Sequence, residues 1–345
     1  MSFVKPTYEK ADVNRAGKIL SLNEPDTDDW LWAYEVLANW RACHGYPINT
    51  FQALLRKRLK GIDPRAIVAQ RLKRAPSVIS KLQRFSTMKL AQMQDIGGLR
   101  AVVRTIGHVY KLDNKYRQSN FKHELVSSKD YIECPKADGY RSVHLVYRYG
   151  NPHVPEYDGL LLELQLRTKL QHAWATAVET MSTFLGQALK SGQGKHEWRE
   201  FLEIASAAFT FIEGTTVIPG YESFTRGEIF SKLAKSAADL HVLSKLQGFS
   251  IAANHITAQR GAGSYHLVTL FSETRKVTIQ PFPKTQLEQA NVEYAKIEER
   301  AQRGELVEAV LVSAGPVEAL RKAYPNYFLD THQFVAEINR VISQV

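Results

Sequence analysis

The sequence predicts an α+β fold: a mixed β-sheet with flanking helices, followed by a small C-terminal α/β domain. Two observations carry this. Stretches that alternate apolar and polar residues with period two, such as ELQLR from Glu163 and RSVHLVY ending at Tyr147, recur between stretches of helical spacing. From Tyr265 onward the pattern changes to two alternating strands, a strongly charged helix, a strand and a helix, a ββαβα unit with its own character. At 345 residues the chain holds two domains or one large one.

Taken in order, residues 1–25 read as loosely structured, with Pro6 and Pro25 among polar residues. Asp26 to Asp29 form an acidic helix start, after which Trp30, Tyr34, Leu37 and Trp40 recur at helical spacing as a core-facing stripe. A second helix runs from Ile48 to Leu59 and ends at Gly61. A third passes through the block RLKRAPSVISK, Arg71 to Lys81, and leads to a buried strand, IGGLRAVV, behind Asp95. Val109 to Ser119 reads as a helix, Phe121 to Leu125 as a strand, Lys129 to Lys136 as a loop and Tyr140 to Tyr147 as a strand. Residues 149–159, with two prolines, form a loop in which Tyr157 is expected exposed or turned to a ligand pocket. Leu160 to Leu166 is a strand and Thr168 to Leu189 a long helix. Helical patterns follow over 197–214 and 223–248, and the C-terminal unit then places strands at 265–271, 276–281 and 306–313 and helices at 285–303, 317–324 and 331–343. The predicted domains are 1–195, a helical connector over 196–258, and 259–345.

A hydrophobic content of 44% with 23% charged residues suits a soluble globular protein, and no apolar run approaches the roughly 20 residues of a membrane span. The N-terminus lacks the apolar core of a secretory signal, so a cytoplasmic location is expected. Cys43 and Cys134 have no metal-site spacing, so neither zinc nor a disulfide framework is expected. P-loop, dinucleotide and HExxH motifs are missing. Residues 51–100 hold twelve Lys and Arg against two acids, which accounts for the whole net charge of +10, whereas residues 284–345 hold seven against nine. A polyanionic partner for the first half follows, and the tail is free to lie against it. Arg56, Lys57, Arg58 and Lys60 put four cations in five residues, more than a helix C-terminus requires.

Three blocks carry candidate chemistry. Arg71, Lys73 and Lys81 are cations near an apparent helix start, with Ser77 and Lys81 on one face, and suit the oxygens of a triphosphate; a solvated basic helix face is the alternative. Asp95 and Glu163 are carboxylates at strand positions among many cations, which suits magnesium or an ordinary salt bridge. Tyr140, Ser142 and His144 follow with period two, placing an aromatic ring and an imidazole on one strand face.

Together the blocks resemble the synthetase domain of the RelA/SpoT family. Its basic helix RxKxxxSxxxK is matched by Arg71, Lys73, Ser77 and Lys81, its D-x-x-x-x-R strand by Asp95 and Arg100, its KDYIxxPKxxGYxSxH segment by Lys129 through His144, and its ExQxRT strand by Glu163, Gln165, Arg167 and Thr168. The resemblance covers roughly residues 40–190. It implies a nucleotidyltransferase-like sheet and transfer of pyrophosphate from ATP to a ribose hydroxyl. It implies that Arg71 and Arg100 sandwich adenine, that Lys73, Ser77 and Lys81 bind ATP, and that Asp95 and Glu163 bind Mg2+. Glu163 would also deprotonate the attacking hydroxyl, a role that needs a pocket raising its pKa. Tyr140 would stack the acceptor base, supported by Lys136, His144, Gln165 and Arg167.

A short synthetase with a metal-free, pseudo-zinc-finger-like C-terminal domain further resembles CapRel-type fused toxin–antitoxin proteins. That implies a pyrophosphokinase acting on the 3′ CCA end of tRNA, halting translation in anti-phage defence, with Arg56, Lys57, Arg58 and Lys60 on the tRNA. It also implies autoinhibition by a YxxY element, here Tyr324 and Tyr327, released by a phage structural, capsid-type protein. A small alarmone synthetase making (p)ppGpp from GDP or GTP is the alternative enzyme reading, and a non-catalytic RNA-binding regulator is a third that ranks below both.

Overall fold

The computed structural model describes residues 3–22, 27–188, 195–258, 263–271, 274, 276–303, 305, 307–314, 317 and 327–345. The chain divides into two compact units, one of residues 1–132 and 141–169, the other of residues 133–140 and 170–345. The expected boundary at 195 therefore lies inside the second unit.

The first unit opens with three helices, α1 (Lys10–Leu22), α2 (Asp28–Cys43) and α3 (Gly45–Lys60). The loose N-terminus expected from the sequence is corrected by α1, whose Val13, Ala16 and Leu20 are fully buried. α2 begins where its chemistry dictates: the Thr27 hydroxyl accepts the Trp30 N–H at 3.2 Å, and Asp28 and Asp29 occupy the positive end of the helix. The expected stripe holds at Leu37 and Trp40, while Trp30 and Tyr34 stack on each other nearer the surface.

Next come β1 (Ile67–Leu72), α4 (Ala75–Arg84), β2 (Gly97–Val103), α5 (Ile106–Arg117), β3 (Glu124–Asp130), β4 (Val143–Arg148) and β5 (Leu161–Thr168). They build a five-stranded sheet in the order β1-β2-β5-β4-β3, in which β2 and β5 pair in parallel and every other pair is antiparallel. Four expectations are corrected. Arg71 lies on β1, an edge strand without clean burial alternation, and α4 starts only at Ala75, with Pro76 in its first turn. β3 takes in Lys129 and Asp130, expected in a loop, and β4 begins three residues after Tyr140, so Tyr140 shares no strand with His144. Tyr157 is buried and stacks on Tyr46 at 4.7 Å, neither exposed nor turned to a ligand. One sheet face is apolar: Leu99, Leu145, Leu164, Leu166 and Tyr147 are at most 2% exposed and join the core under α3 and α5. Burying each such side chain contributes about 1.5–3 kcal/mol.

In the second unit, α6 (Lys169–Ala188), α7 (Lys195–Glu213), α8 (Arg226–Asp239) and α9 (Val242–Ala258) pack around Phe201, Phe209 and Phe249. A three-stranded antiparallel sheet, order β7-β6-β8, follows from β6 (Tyr265–Phe271), β7 (Lys276–Phe282) and β8 (Val307–Ser313), with α10 (Leu287–Gln302) against it and α11 (Tyr327–Ile342) closing the chain. Phe334 of α11 completes the helical core. The helix expected over 317–324, Tyr324 included, lies outside the described residues apart from Val317, as does the side chain of Tyr327.

One buried charge ties two loops of the first unit together. Asp63, its side chain shielded from solvent, accepts the Arg104 N–H at 2.9 Å, the Arg104 Nε–H at 3.0 Å and the Arg65 N–H at 3.2 Å. Burial opposes the charge, but these donors and the Arg104 guanidinium outweigh it and hold the carboxyl below its ordinary 3.8. A depressed folded pKa means stability that is present above the ordinary value and lost as pH falls through the folded one. Asp63→Asn is expected to cost about 2–4 kcal/mol in urea unfolding at neutral pH, and to lose less stability than the parent between about pH 5 and 2. Unfolding curves that match the parent at both ends of that window would contradict the assignment.

Candidate active site

The face of the sheet opposite the core is polar, and strand register assembles it. Across all five strands one row reads Ala69, Arg100, Gln165, His144 and Lys129. The adjacent row reads Arg71, Gly98, Glu163, Val146 and Ser127. Alternation along each strand sends these side chains to one face and the core leucines to the other. Arg71, on the exposed end of β1, and Arg100, half-buried on β2, thus share a face on neighbouring rows. A Cβ on Gly98 would meet only carbonyl oxygens at 3.7 and 3.8 Å. Packing does not force glycine there; its missing side chain leaves the face open between Arg71 and Glu163.

Glu163 is the most densely supported group on this face. His144 Nδ1 lies 2.7 Å from its Oε1, and the Gln165 amide donates to its Oε2 at 2.8 Å. Because the carboxylate only accepts, the shared proton resides on Nδ1. Gln165 is held by Arg167, whose Nη2 donates to Gln165 Oε1 at 2.9 Å; Arg167 is itself buried, with its Nε 3.4 Å from the Ser142 hydroxyl. Ser142 in turn donates to the Leu166 carbonyl at 3.1 Å. The Tyr131 ring meets His144 edge-on at 5.3 Å. Burial raises the Glu163 pKa and so does the like charge of Asp95, but the hydrogen bonds of His144 and Gln165 prevail and hold the carboxyl below its ordinary range. The raised pKa named above as the condition for a Glu163 base is thus absent, and the carboxyl is held toward its ionised form.

Asp95 sits in the turn ahead of β2, not on the strand itself. Lys73 Nζ reaches its Oδ2 at 2.7 Å and Lys81 Nζ its Oδ1 at 3.0 Å. Burial again opposes ionisation, and the two lysines overcome it, keeping the carboxyl below the ordinary value. These three residues, with Pro76, Ser77, Ser80, Arg84 and Phe85, line an open cavity of about 520 Å3. Ser77, Ser80, Lys81 and Arg84 all stand on α4, where spacings of three and four put them on one face. Ser80, Arg84 and the half-exposed Phe85, over whose ring the Arg84 guanidinium lies at 5.3 Å, were not singled out by the sequence. The signal for Arg84 was present: it lies one helical turn beyond Lys81.

Lys136 and Tyr140 occupy the loop assigned to the second unit, with the Lys136 ammonium 5.1 Å from the Tyr140 ring centre. Arg56, Lys57 and Lys60 are exposed at the end of α3. Arg58 is not part of that surface: its guanidinium covers the Tyr116 ring at 4.0 Å, donates to the Lys115 carbonyl at 3.1 Å and also bonds Ser119, so it locks α3 to α5.

Asp95 and Glu163 offer hard oxygen donors close enough for their charges to repel, and each carboxylate oxygen retains a second lone pair. Among the described residues no group of three or more His, Cys, Asp or Glu forms a metal-ligand cluster. A two-carboxylate set fits magnesium, which takes its other ligands from water and substrate phosphates, and does not fit structural zinc. Also among the described residues, no helix is long and apolar enough to cross a membrane.

The electrostatics of Asp95 can be tested alone. Lys73→Met removes one of its two cationic partners, so its carboxyl pKa is expected to rise, read by NMR pH titration of the side-chain carboxyl carbon. A titration unmoved by the substitution would contradict the clamp.

Residues 70–184 match the family model described as "Region found in RelA / SpoT proteins". Over 141 residues the chain is 30% identical to the GTP pyrophosphokinase YjbM of Bacillus subtilis (strain 168), covering 37% of this chain and 66% of that protein. Over 126 residues it is 30% identical to the GTP pyrophosphokinase YwaC of the same organism, covering 34% and 58%. The chain thus spans less than two thirds of the length of these curated relatives. A crystal structure of the small alarmone synthetase 1 from Bacillus subtilis bound to its product pppGpp aligns with 51% of this chain and 94% of that one, at 26% identity and a TM-score of 0.43. The residues that match this model, 70–184, carry β2, β5, Asp95, Glu163 and the cations of α4.

Proposed function

We propose that the chain is an ATP-dependent pyrophosphokinase that moves the β,γ-pyrophosphoryl group of ATP to a ribose hydroxyl of a guanosine nucleotide. The observation that carries this reading is the clamp of Lys73 and Lys81 on Asp95 at the mouth of the α4 cavity, with the ionised Glu163 within electrostatic range. The names of the relatives, GTP pyrophosphokinases, support the acceptor class.

In this reading Lys73, Ser77, Lys81 and Arg84 bind the triphosphate, and Arg71 and Arg100 lie against adenine. Asp95 and Glu163 would hold magnesium, which would supply charge neutralisation on the transferring phosphates. The acceptor hydroxyl oxygen forms a bond to the β-phosphorus as the bond from that phosphorus to the α,β-bridging oxygen breaks, and AMP leaves with the electron pair. The hydroxyl proton passes to a Glu163 oxygen. A low-pKa carboxylate is adequate because the transition state of phosphoryl transfer is loose and the proton departs late. His144 and Gln165 hold the carboxylate in place. Tyr140 stacks the acceptor base, with Lys136 beside it.

A second reading, transfer to the 3′ CCA end of tRNA, is favoured by one observation: Arg56, Lys57 and Lys60 are exposed together at the end of α3, where they suit phosphate contacts. Arrest of translation in anti-phage defence, autoinhibition through Tyr324 and Tyr327 and release by a capsid-type phage protein belong to that reading.

The test is incubation with γ-labelled ATP, Mg2+ and either GDP, GTP or total tRNA. Label is expected in the guanosine nucleotide, and Asp95→Ala or Glu163→Ala is expected to lower the rate at least about a hundredfold. Label in tRNA that falls with Arg56, Lys57 and Lys60 all changed to Ala would establish the second reading. Label in neither acceptor, or full activity in either carboxylate variant, would refute pyrophosphoryl transfer by this site.

A further inference from the structure

Tyr140 does not stand on a free loop. Within the second unit, the loop of residues 133–140 is fastened to α6 and α7 by a specific buried contact. The Ser206 hydroxyl, on α7 and fully buried, donates to the Gly139 carbonyl at 2.6 Å. Gly139 has φ +87°, a conformation that disfavours any side chain, and a Cβ there would come within 2.9 Å of both Ser206 Cβ and Trp174 Cζ2. The backbone at Gly139 is therefore pressed directly onto one serine and one indole edge. The indole is itself fixed, because Trp174 Nε1 donates to the Leu202 carbonyl at 2.8 Å and the ring is 5% exposed.

The loop is also closed on itself. The Gly139 N–H donates to the Lys136 carbonyl at 3.0 Å, the Lys136 N–H to the Tyr140 carbonyl at 3.3 Å, and the Tyr140 N–H to Asp138 Oδ1 at 3.0 Å. Lys136 lies over the Tyr140 ring at 5.1 Å, and Tyr140 packs partly on the helical core. A tight loop, satisfied internally and docked by one buried hydrogen bond, holds its terminal aromatic ring in a set orientation. Ser206 lies beyond residue 184, where the RelA/SpoT region ends.

We propose that Ser206 and Trp174 are positioning residues for acceptor binding: they hold Gly139 so that Tyr140 and Lys136 present a preformed stacking platform to the acceptor's nucleobase. This rests on the reading of Tyr140 as the acceptor-stacking residue. The physical gain is entropic, since a ring already ordered before binding does not pay for its own immobilisation. Through Ser206, which lies outside the matched region, the helical part of the second unit thereby sets affinity for the acceptor and leaves ATP binding alone.

The experiment compares the full chain with Ser206→Ala, Ser206→Thr, Trp174→Phe and Tyr140→Leu. KM for ATP and for the acceptor that wild type labels, GDP or total tRNA, is measured for each, with amide hydrogen exchange over residues 133–140 without nucleotide. Ser206→Ala leaves a buried carbonyl unpaired and is expected to raise the acceptor KM about tenfold, with kcat and the ATP KM within about twofold of wild type. Loop exchange should rise, and Ser206→Thr, which keeps the hydroxyl, should restore the acceptor KM. Trp174→Phe, which keeps an aromatic ring but not its donor, should act in the same direction and serves if Ser206→Ala does not fold. An unchanged acceptor KM in both Ser206→Ala and Trp174→Phe, with Tyr140→Leu raising it, would overturn the positioning role while leaving the stacking reading intact. An equal rise in ATP and acceptor KM would overturn it as a general structural effect. An unchanged acceptor KM in Tyr140→Leu, or no labelled acceptor at all, would overturn the stacking reading and the proposal with it.

Discussion

The parallel pairing of β2 with β5 is the constraint on which the rest of the first unit depends. It sets Gly98 beside Glu163 and Arg100 beside Gln165, and β4 then adds His144 across from Gln165. Side chains alternate with period two, so a slip of one residue would turn Glu163 and Arg100 into the core and Leu164 and Leu99 out to solvent. Burial of those leucines enforces the register, and the register assembles the polar face. Core packing and the placement of the charged groups are one physical fact. That is why the carboxylate, imidazole, amide and guanidinium of Glu163, His144, Gln165 and Arg167 all stand on the paired strands β4 and β5.

Charge is arranged on this face to be exchanged. Two unit charges 4 Å apart interact by about 4 kcal/mol at an effective dielectric of about 20, so the Asp95 clamp is a substantial store of interaction. Lys73 and Lys81 neutralise Asp95 when the cavity holds no polyanion. A triphosphate would compete for the same ammonium groups, and the Asp95 oxygens so released would be open to a divalent cation. Glu163 is held instead by His144 at 2.7 Å and Gln165 at 2.8 Å, which keep its carboxyl below the ordinary range. The two carboxylates thus differ by environment: two lysines hold Asp95, an imidazole and an amide hold Glu163.

Much of this was legible in the residues. The alternation in ELQLR announced a strand with one polar and one apolar face, and the cations Arg71, Lys73 and Lys81, with Ser77 on the helical face of Lys81, pointed to a triphosphate site. What escaped had physical reasons. β1 is an edge strand whose burial shows no alternation, so Arg71 read as helical among its basic neighbours. α1 carries its apolar residues sparsely, and its burial comes from packing on α2 and α4 that no local pattern reveals. Arg58 looked like one of four surface cations, yet the rings of Tyr116 and Phe121 claim it. Period two carried Tyr140 onto the strand of His144, because nothing local shows that Gly139 takes φ +87° and ends the loop on α7.

The central claim, that one sheet face and α4 together form a metal-dependent triphosphate site, is tested most directly by a crystal structure of the chain with a non-hydrolysable ATP analogue and Mn2+, using anomalous scattering to locate the metal. The account predicts triphosphate oxygens on Lys73, Ser77 and Lys81, adenine against Arg71 and Arg100, and a manganese peak bridging Asp95, Glu163 and the phosphates. A nucleotide bound elsewhere, or bound here with Lys73 and Lys81 still closed on Asp95 and no metal between the carboxylates, would contradict it.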